Sequence, residues 1–255
     1  MAKKKTKKEK RLNRAFESLR NLYKKIPDTV GCLECISKPK EEGGCGGWCC
    51  QFQSPQVLSV EFSHTWNYVL SHWNWEEIAD LIEACMRNYL TDAPMKGCVF
   101  WNSETKLCKQ HKTRPYNCYT YGIIPEEEFH PRYERLKKEY ADRPDVVVRD
   151  QCHLIKTVTG KPITMSQTNK WWEELIEIEK KTGIRRRLIH DGPGGTYLTY
   201  HDHILLRVCS DGIMGNLQLL RKHGDRFEKD QAISGLRQVF RKKLKEGLET
   251  QNESD

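Results

Sequence analysis

Eight cysteines between positions 32 and 118 follow the pattern C-x2-C-x9-C-x3-C-C, then C-x9-C-x9-C: Cys32, Cys35, Cys45, Cys49, Cys50, Cys98, Cys108 and Cys118. A ninth, Cys152, comes shortly after. Soft thiols at short spacings serve to hold a metal or to form disulfides, and the redox compartment decides between the two. The first 25 residues lack the apolar stretch and small-residue cleavage site of a secretory signal. No apolar run approaches the roughly 18 residues that span a bilayer. Eleven cysteines in 255 residues also stay below the more than ~8% of short secreted disulfide scaffolds. The expectation is a cytoplasmic protein with no membrane contact, its thiols reduced and open to metal.

Charge is placed unevenly. Residues 1–25 hold eleven Lys/Arg against Glu9 and Glu17, a local +9 compared with the formal +8 of the whole chain. The rest of the chain is close to neutral. Such an arm suits a phosphate-rich partner such as nucleic acid, or an acidic protein surface. A solvated, frayed helix would have the same composition. Leu12, Phe16, Leu19 and Tyr23 recur at three- and four-residue spacing, which predicts an amphipathic helix docked on the body.

The fold expected is mainly α, with long cysteine-rich loops and a few short strands. A basic arm or helix occupies 1–28, a metal-organised cysteine domain 29–155, a helical C-terminal region 156–247 and a polar tail 248–255. Glycines and Pro39 and Pro55 mark 31–55 as loop. Residues 75–90 read as an amphipathic helix whose apolar stripe includes Cys85, a core thiol rather than a ligand. Residues 97–122 read as a second cysteine-bearing loop, 126–140 as a polar helix, and Val146–Val148 as a short strand. A helix at 168–182 is ended by Gly183. Gly192–Gly195 is a turn, Thr196–Tyr200 is strand-like, and helices follow near 202–222 and 226–246.

Cys45, Cys49 and Cys50 in GGCGGWCC, with Cys98, Cys108 and Cys118 in GCVFWNSETKLCKQHKTRPYNC, resemble the CxxCxxCC family of YkgJ-like cysteine-cluster proteins. The paired cysteines and the segment Arg114-Pro115-Tyr116-Asn117-Cys118 carry the likeness, Cys152 fits a later cysteine, and the resemblance spans about residues 30–155. It implies a zinc- or iron-chelating domain, often described as iron–sulfur. Bacterial flagellin lysine methylases resemble the family in part, which implies modification chemistry. The first group departs from the compact C-x2-C-x2-C-C form, leaving open whether Cys32 or Cys35 is the first ligand.

All nine cysteines of the pattern are candidate ligands. Eight would make two four-thiolate sites and four would make one. A C-x2-C or C-x3-C step lets two sulfurs converge on one ion. Adjacent side chains usually diverge, so Cys49 and Cys50 are expected to serve different centres, or one of them to be a packed thiol. Thiolates accumulate negative charge, and Lys106, Lys109, Lys112 and above all Arg114 are placed to compensate it as cofactor-binding cations. The long C-x9-C step is unlike a zinc knuckle, so one or two iron–sulfur clusters, of the [4Fe–4S] kind, are favoured over zinc.

The resulting function is a metal-binding, iron–sulfur protein in redox or protein-modification chemistry, acting on an unknown protein partner or substrate. The alternative is a zinc-stabilised binding module whose basic arm contacts nucleic acid or an acidic partner. His201 and His203, with His190 and Asp191, form a weaker candidate for a second metal or acid/base site; capping of a helix near Asp202 explains them better. No nucleophile elbow, P-loop or HExxH is present.

Overall fold

The computed structural model describes residues 6–29, 48–52, 54–91, 97–105, 107–143, 148, 156–184 and 198–252. Ten α-helices lie among them: α1 Lys7–Tyr23, α2 Trp48–Phe52, α3 Ser59–His72, α4 Trp75–Leu90, α5 Tyr116–Thr120, α6 Glu126–Glu139, α7 Met165–Thr182, α8 Tyr200–Val208, α9 Asp211–His223 and α10 Arg226–Asn252. A 3-10 turn spans His111–Thr113. No helix of the described residues is long and apolar enough to cross a membrane.

Local signals start most of these helices. Thr6 and Glu9 of α1, Asn74 and Glu77 of α4, and Thr164 and Gln167 of α7 exchange backbone and side-chain hydrogen bonds as capping boxes. Gly183 ends α7 at φ 65°, a conformation that favours glycine. A Cβ added there would also meet the Arg11 guanidinium of α1 at 2.7 Å.

Two apolar clusters fill the interior. In one, α4 packs against α8, α9 and α10, burying Ile78, Ile82, Met86, Ile204, Leu205 and Leu217. Cys85 is fully buried there, so the core reading of that thiol holds. In the other, Phe16, Leu19 and Leu22 of α1 meet Trp171, Leu175 and Ile178 of α7. The amphipathic helix expected from Leu12, Phe16, Leu19 and Tyr23 is therefore present and docked.

Helix α3 stands between the clusters. Phe62, Trp66 and Val69 belong to the first, while Val60 and the preceding Leu58 belong to the second. Because apolar residues face both ways, α3 lacks a single stripe, and periodicity misses it. Its N-terminus meets two buried carboxylates. Glu61 reaches back to the Leu58 N–H at 2.9 Å. Glu179, from α7, accepts from the N–H groups of Ser59 at 3.1 Å and Val60 at 2.7 Å.

Several expectations need correction. The few short strands are absent: the described residues hold only three isolated bridges, Thr29–Thr157, Gln56–Thr199 and Trp101–Cys108. The strand-like reading of Thr196–Tyr200 fails at its described end, where Tyr200 opens α8. The Asp202 carboxylate accepts from the Thr199 N–H and hydroxyl at 2.9 and 2.7 Å, and this cap outweighs strand propensity. Where the cysteine-rich stretches are described, at 48–52, 97–105 and 107–122, short ordered elements, detailed below, replace the loop reading; residues 30–47 and 149–155 lie outside the described residues. The single helix near 202–222 breaks at Cys209, because the Ser210 hydroxyl caps a new helix. Val146, Val147 and the turn at 192–195 lie outside the described residues.

Replacing Glu179 by Ala orphans two N–H groups at the start of α3 and is expected to lower stability by about 2–3 kcal/mol. Urea denaturation measures this. The parallel Glu177→Ala change, which loses only an exposed pair with Lys180, should leave the midpoint unmoved.

Candidate metal centre

Each described cysteine of the pattern is placed by a short element. Cys49 and Cys50 lie on α2. Cys98 and Cys108 stand at the base of a small hairpin, closed by Asn102 N–H to Leu107 C=O at 2.9 Å and Lys109 N–H to Phe100 C=O at 2.8 Å. The Asn102 carboxamide oxygen turns the tip by accepting from Glu104 and Thr105 N–H. The C-x9-C step that looks long in sequence is therefore a hairpin that returns its ends to one place. Cys118 lies on α5, whose first turn hangs from the Pro115 carbonyl, the Cys118 N–H donating to it at 2.9 Å.

The α2 backbone touches the hairpin directly. The Cys98 N–H donates to the Cys50 carbonyl at 2.7 Å. Gly97 allows this approach: a Cβ there would fall 2.4 Å from the Gln51 carbonyl oxygen.

The sulfurs of Cys49 and Cys50 do not diverge. They lie 3.9 Å apart, and two thiolates about 2.3 Å from one tetrahedral ion sit about 3.8 Å from each other. That spacing suits a shared ion better than two centres. Cys49, Cys98, Cys108 and Cys118 all feel one another's charge. Among the described residues no three donors already stand at coordinating separation. Cys32, Cys35, Cys45 and Cys152 lie outside the described residues.

Electrostatics follow from crowding half-buried thiols. Cys98 is pushed up to about 12 by burial and the Cys108 charge, against N–H donors from Phe100 and Trp101. Burial raises Cys108, which receives the Gln110 N–H. Burial and then Cys98 raise Cys118. Within the adjacent pair, the hydrogen bond between the sulfurs raises Cys50 and lowers Cys49. Raised thiols stay protonated at neutral pH, so a metal must displace their protons, and its hold weakens as pH falls.

Arg114 lies beside this set and pulls Cys108 and Cys118 downward. Its guanidinium carbon sits 4.2 Å from the centre of the Tyr119 ring, and one NH donates to His111 Nε2 at 2.6 Å. Burial, with Arg114 itself, lowers the His111 pKa and favours the neutral ring that accepts this bond. The buried Arg114 Nε has no hydrogen-bond partner among the described residues. Soft sulfur donors, N–H groups aimed at sulfur and an adjacent fixed cation together fit a thiophilic metal. Lys109 instead reaches over Trp73, at 5.6 Å.

His203 has a structural role. Its Nε2 donates to the Val57 carbonyl at 2.8 Å, and its ring stacks on Phe62 at 4.8 Å. His201 is buried on the same first turn of α8; His190 and Asp191 lie outside the described residues. The sequence reading missed Tyr200 and Thr65, which are buried near the cysteines, because neither belongs to a spacing pattern.

Comparison with known families matches residues 41–135 to the CxxCxxCC model, described as "Putative zinc- or iron-chelating domain". Searches of curated proteins and of solved structures return no match. The matched segment holds Cys45, Cys49, Cys50, Cys98, Cys108 and Cys118 and leaves Cys32, Cys35 and Cys152 outside it. That segment is thus similar to a cysteine domain described as zinc- or iron-chelating, with both metals within the description.

Gly97→Ala removes no donor yet forces α2 away from Cys98. It is expected to cut bound metal per chain at least several-fold, read by elemental analysis. Gly212→Ala, at a helical site with open space around the new methyl group, should keep full metal and raise stability by up to about 1 kcal/mol.

Proposed function

We propose that the protein holds a thiolate-ligated metal centre, iron–sulfur in preference to zinc, and serves redox or protein-modification chemistry. Cys49, Cys50, Cys98, Cys108 and Cys118 are its described donors. Cys45 is a further donor within the family-matched segment, and Cys32, Cys35 and Cys152 are candidates beyond it. The observation that carries this reading is the gathering of five half-buried thiols from three elements in one neighbourhood, more than a single tetrahedral ion accepts.

The 3.9 Å pair favours a form in which two thiolates share one metal, as in a [2Fe–2S] centre or at a mononuclear site, over a cube with one thiolate per iron. Bound iron–sulfur would supply one-electron transfer. The chain's own part is to exclude water, donate N–H groups to Cys98 and Cys108, and set the Arg114 charge alongside, all of which tune potential.

Anaerobic purification followed by metal and acid-labile sulfide analysis tests this. Brown protein with iron and sulfide supports the reading, whereas colourless protein with stoichiometric zinc replaces it with the structural alternative. Cys49→Ala and Cys50→Ala should each remove most of the bound metal; loss in only one variant would make the other sulfur a packed thiol.

A second reading is favoured by α1. Lys7, Lys10, Arg11, Arg14 and Arg20 are exposed on a docked helix and make no ion pair among the described residues. Such a face suits the phosphate backbone of a nucleic acid, held beside a structural metal site. Fluorescence anisotropy with a labelled oligonucleotide should then show affinity falling steeply with salt. Arg11→Glu with Arg14→Glu should abolish binding, and equal binding by that variant rejects this reading.

A further inference from the structure

Tyr200 opens α8, outside the family-matched segment, yet packs against two parts of the cysteine region. It is almost fully buried. Its ring meets Phe100 edge-on, with centroids 4.9 Å apart at 86°, and the Phe100 N–H is one of the donors to the Cys98 sulfur. Its hydroxyl lies 3.1 Å from Thr65 Oγ1.

The direction of that bond is fixed by proton count. Thr65 has one hydroxyl proton and gives it to the Thr113 carbonyl at 2.9 Å, so Tyr200 donates to Thr65. The Thr113 hydroxyl then donates to Gln110 Oε1 at 2.7 Å, and the Gln110 N–H points at the Cys108 sulfur. A chain of donors thus runs from α8 through α3 into the 3-10 turn between Cys108 and Cys118, ending on a thiol. Thr113 also immediately precedes Arg114, so the same chain fixes where the guanidinium starts. The phenol stands in the field of the cysteines as well: after burial, the Cys118 charge is the largest cause raising its pKa.

We propose that Tyr200 and Thr65 are positioning residues of the thiolate centre, their hydroxyls holding the Gln110–Thr113 turn so that Cys108 and Arg114 face the metal. This rests on the metal-binding reading above. Its consequence is that the C-terminal helices, which contribute none of the candidate thiolate ligands, complete the centre. Outer hydrogen bonds of this kind typically change metal affinity about 10–100-fold.

The test uses the full chain with Tyr200→Phe, Thr65→Val and the hydroxyl-keeping Thr65→Ser. Metal release to a competing chelator should quicken about ten-fold or more in Tyr200→Phe and Thr65→Val and stay near wild type in Thr65→Ser. In metal-free protein, amide hydrogen exchange at residues 108–114 should rise in the first two variants and be restored in the third. That second arm needs no metal, so a wild type that binds none would defeat the metal reading while exchange still judges the network. Wild-type release rates in Tyr200→Phe and Thr65→Val overturn the proposal, even if their melting temperatures fall. Unchanged exchange at 108–114 overturns it as well.

Discussion

Glu61 joins three parts of the molecule that sequence keeps far apart. Its carboxylate accepts from the Tyr23 hydroxyl at the end of α1, from the Leu58 N–H at the start of α3, and from the Tyr116 N–H, which opens the Cys118 helix, at 2.6 Å. Burying a carboxylate costs several kcal/mol unless donors surround it, and three do. Burial still has the larger effect, so the Glu61 pKa stays raised despite those bonds. The sign follows. The folded chain holds this proton more tightly than the unfolded chain, so the stability Glu61 contributes is complete below the ordinary glutamate range. It is lost as pH rises through the folded value. The register of Cys118 against α1 and α3 is thus bound to a group whose own charge opposes folding, and the surrounding hydrogen bonds must be kept intact.

The same conflict recurs among the thiols. Burial and mutual repulsion push Cys98, Cys108 and Cys118 toward the protonated form, while N–H donors and Arg114 favour the thiolate. Neither influence alone makes a stable anionic cluster. A divalent or polynuclear cation resolves the contest by taking the place of the protons. With a metal bound, Arg114 would serve as a counter-charge to the assembled thiolates; its half-buried side chain has a histidine and a tyrosine ring as described partners.

What could be read from sequence followed the range of the interaction. Helices α1 and α4 were legible because each buries one stripe, and Cys85 was assigned to the core by lying on the stripe of α4. Helix α3 was not, since it buries residues on both sides and carries Glu61 among them. The hairpin between Cys98 and Cys108 was hidden in a nine-residue gap; its turn depends on Asn102, a common residue whose meaning appears only when Glu104 and Thr105 donate to it. The approach of Cys49 to Cys50 depends on rotamers, which spacing does not encode. Tyr200 acts through a neighbour 135 positions away, beyond any local pattern.

The extent of the apolar clusters bears on what the metal does for the fold. In a small zinc finger the ion replaces a core, and the chain unfolds without it. Here two clusters draw on α1, α3, α4, α7, α8, α9 and α10, and much of that surface comes from outside residues 41–135. The cysteine elements join this body by packing as well as by directed bonds: Phe100 of the hairpin and Tyr116 of α5 belong to the two clusters, the Tyr116 N–H donates to Glu61 and the Thr65 hydroxyl to the Thr113 carbonyl. The helical body positions the thiols, and the thiols do not have to organise the body.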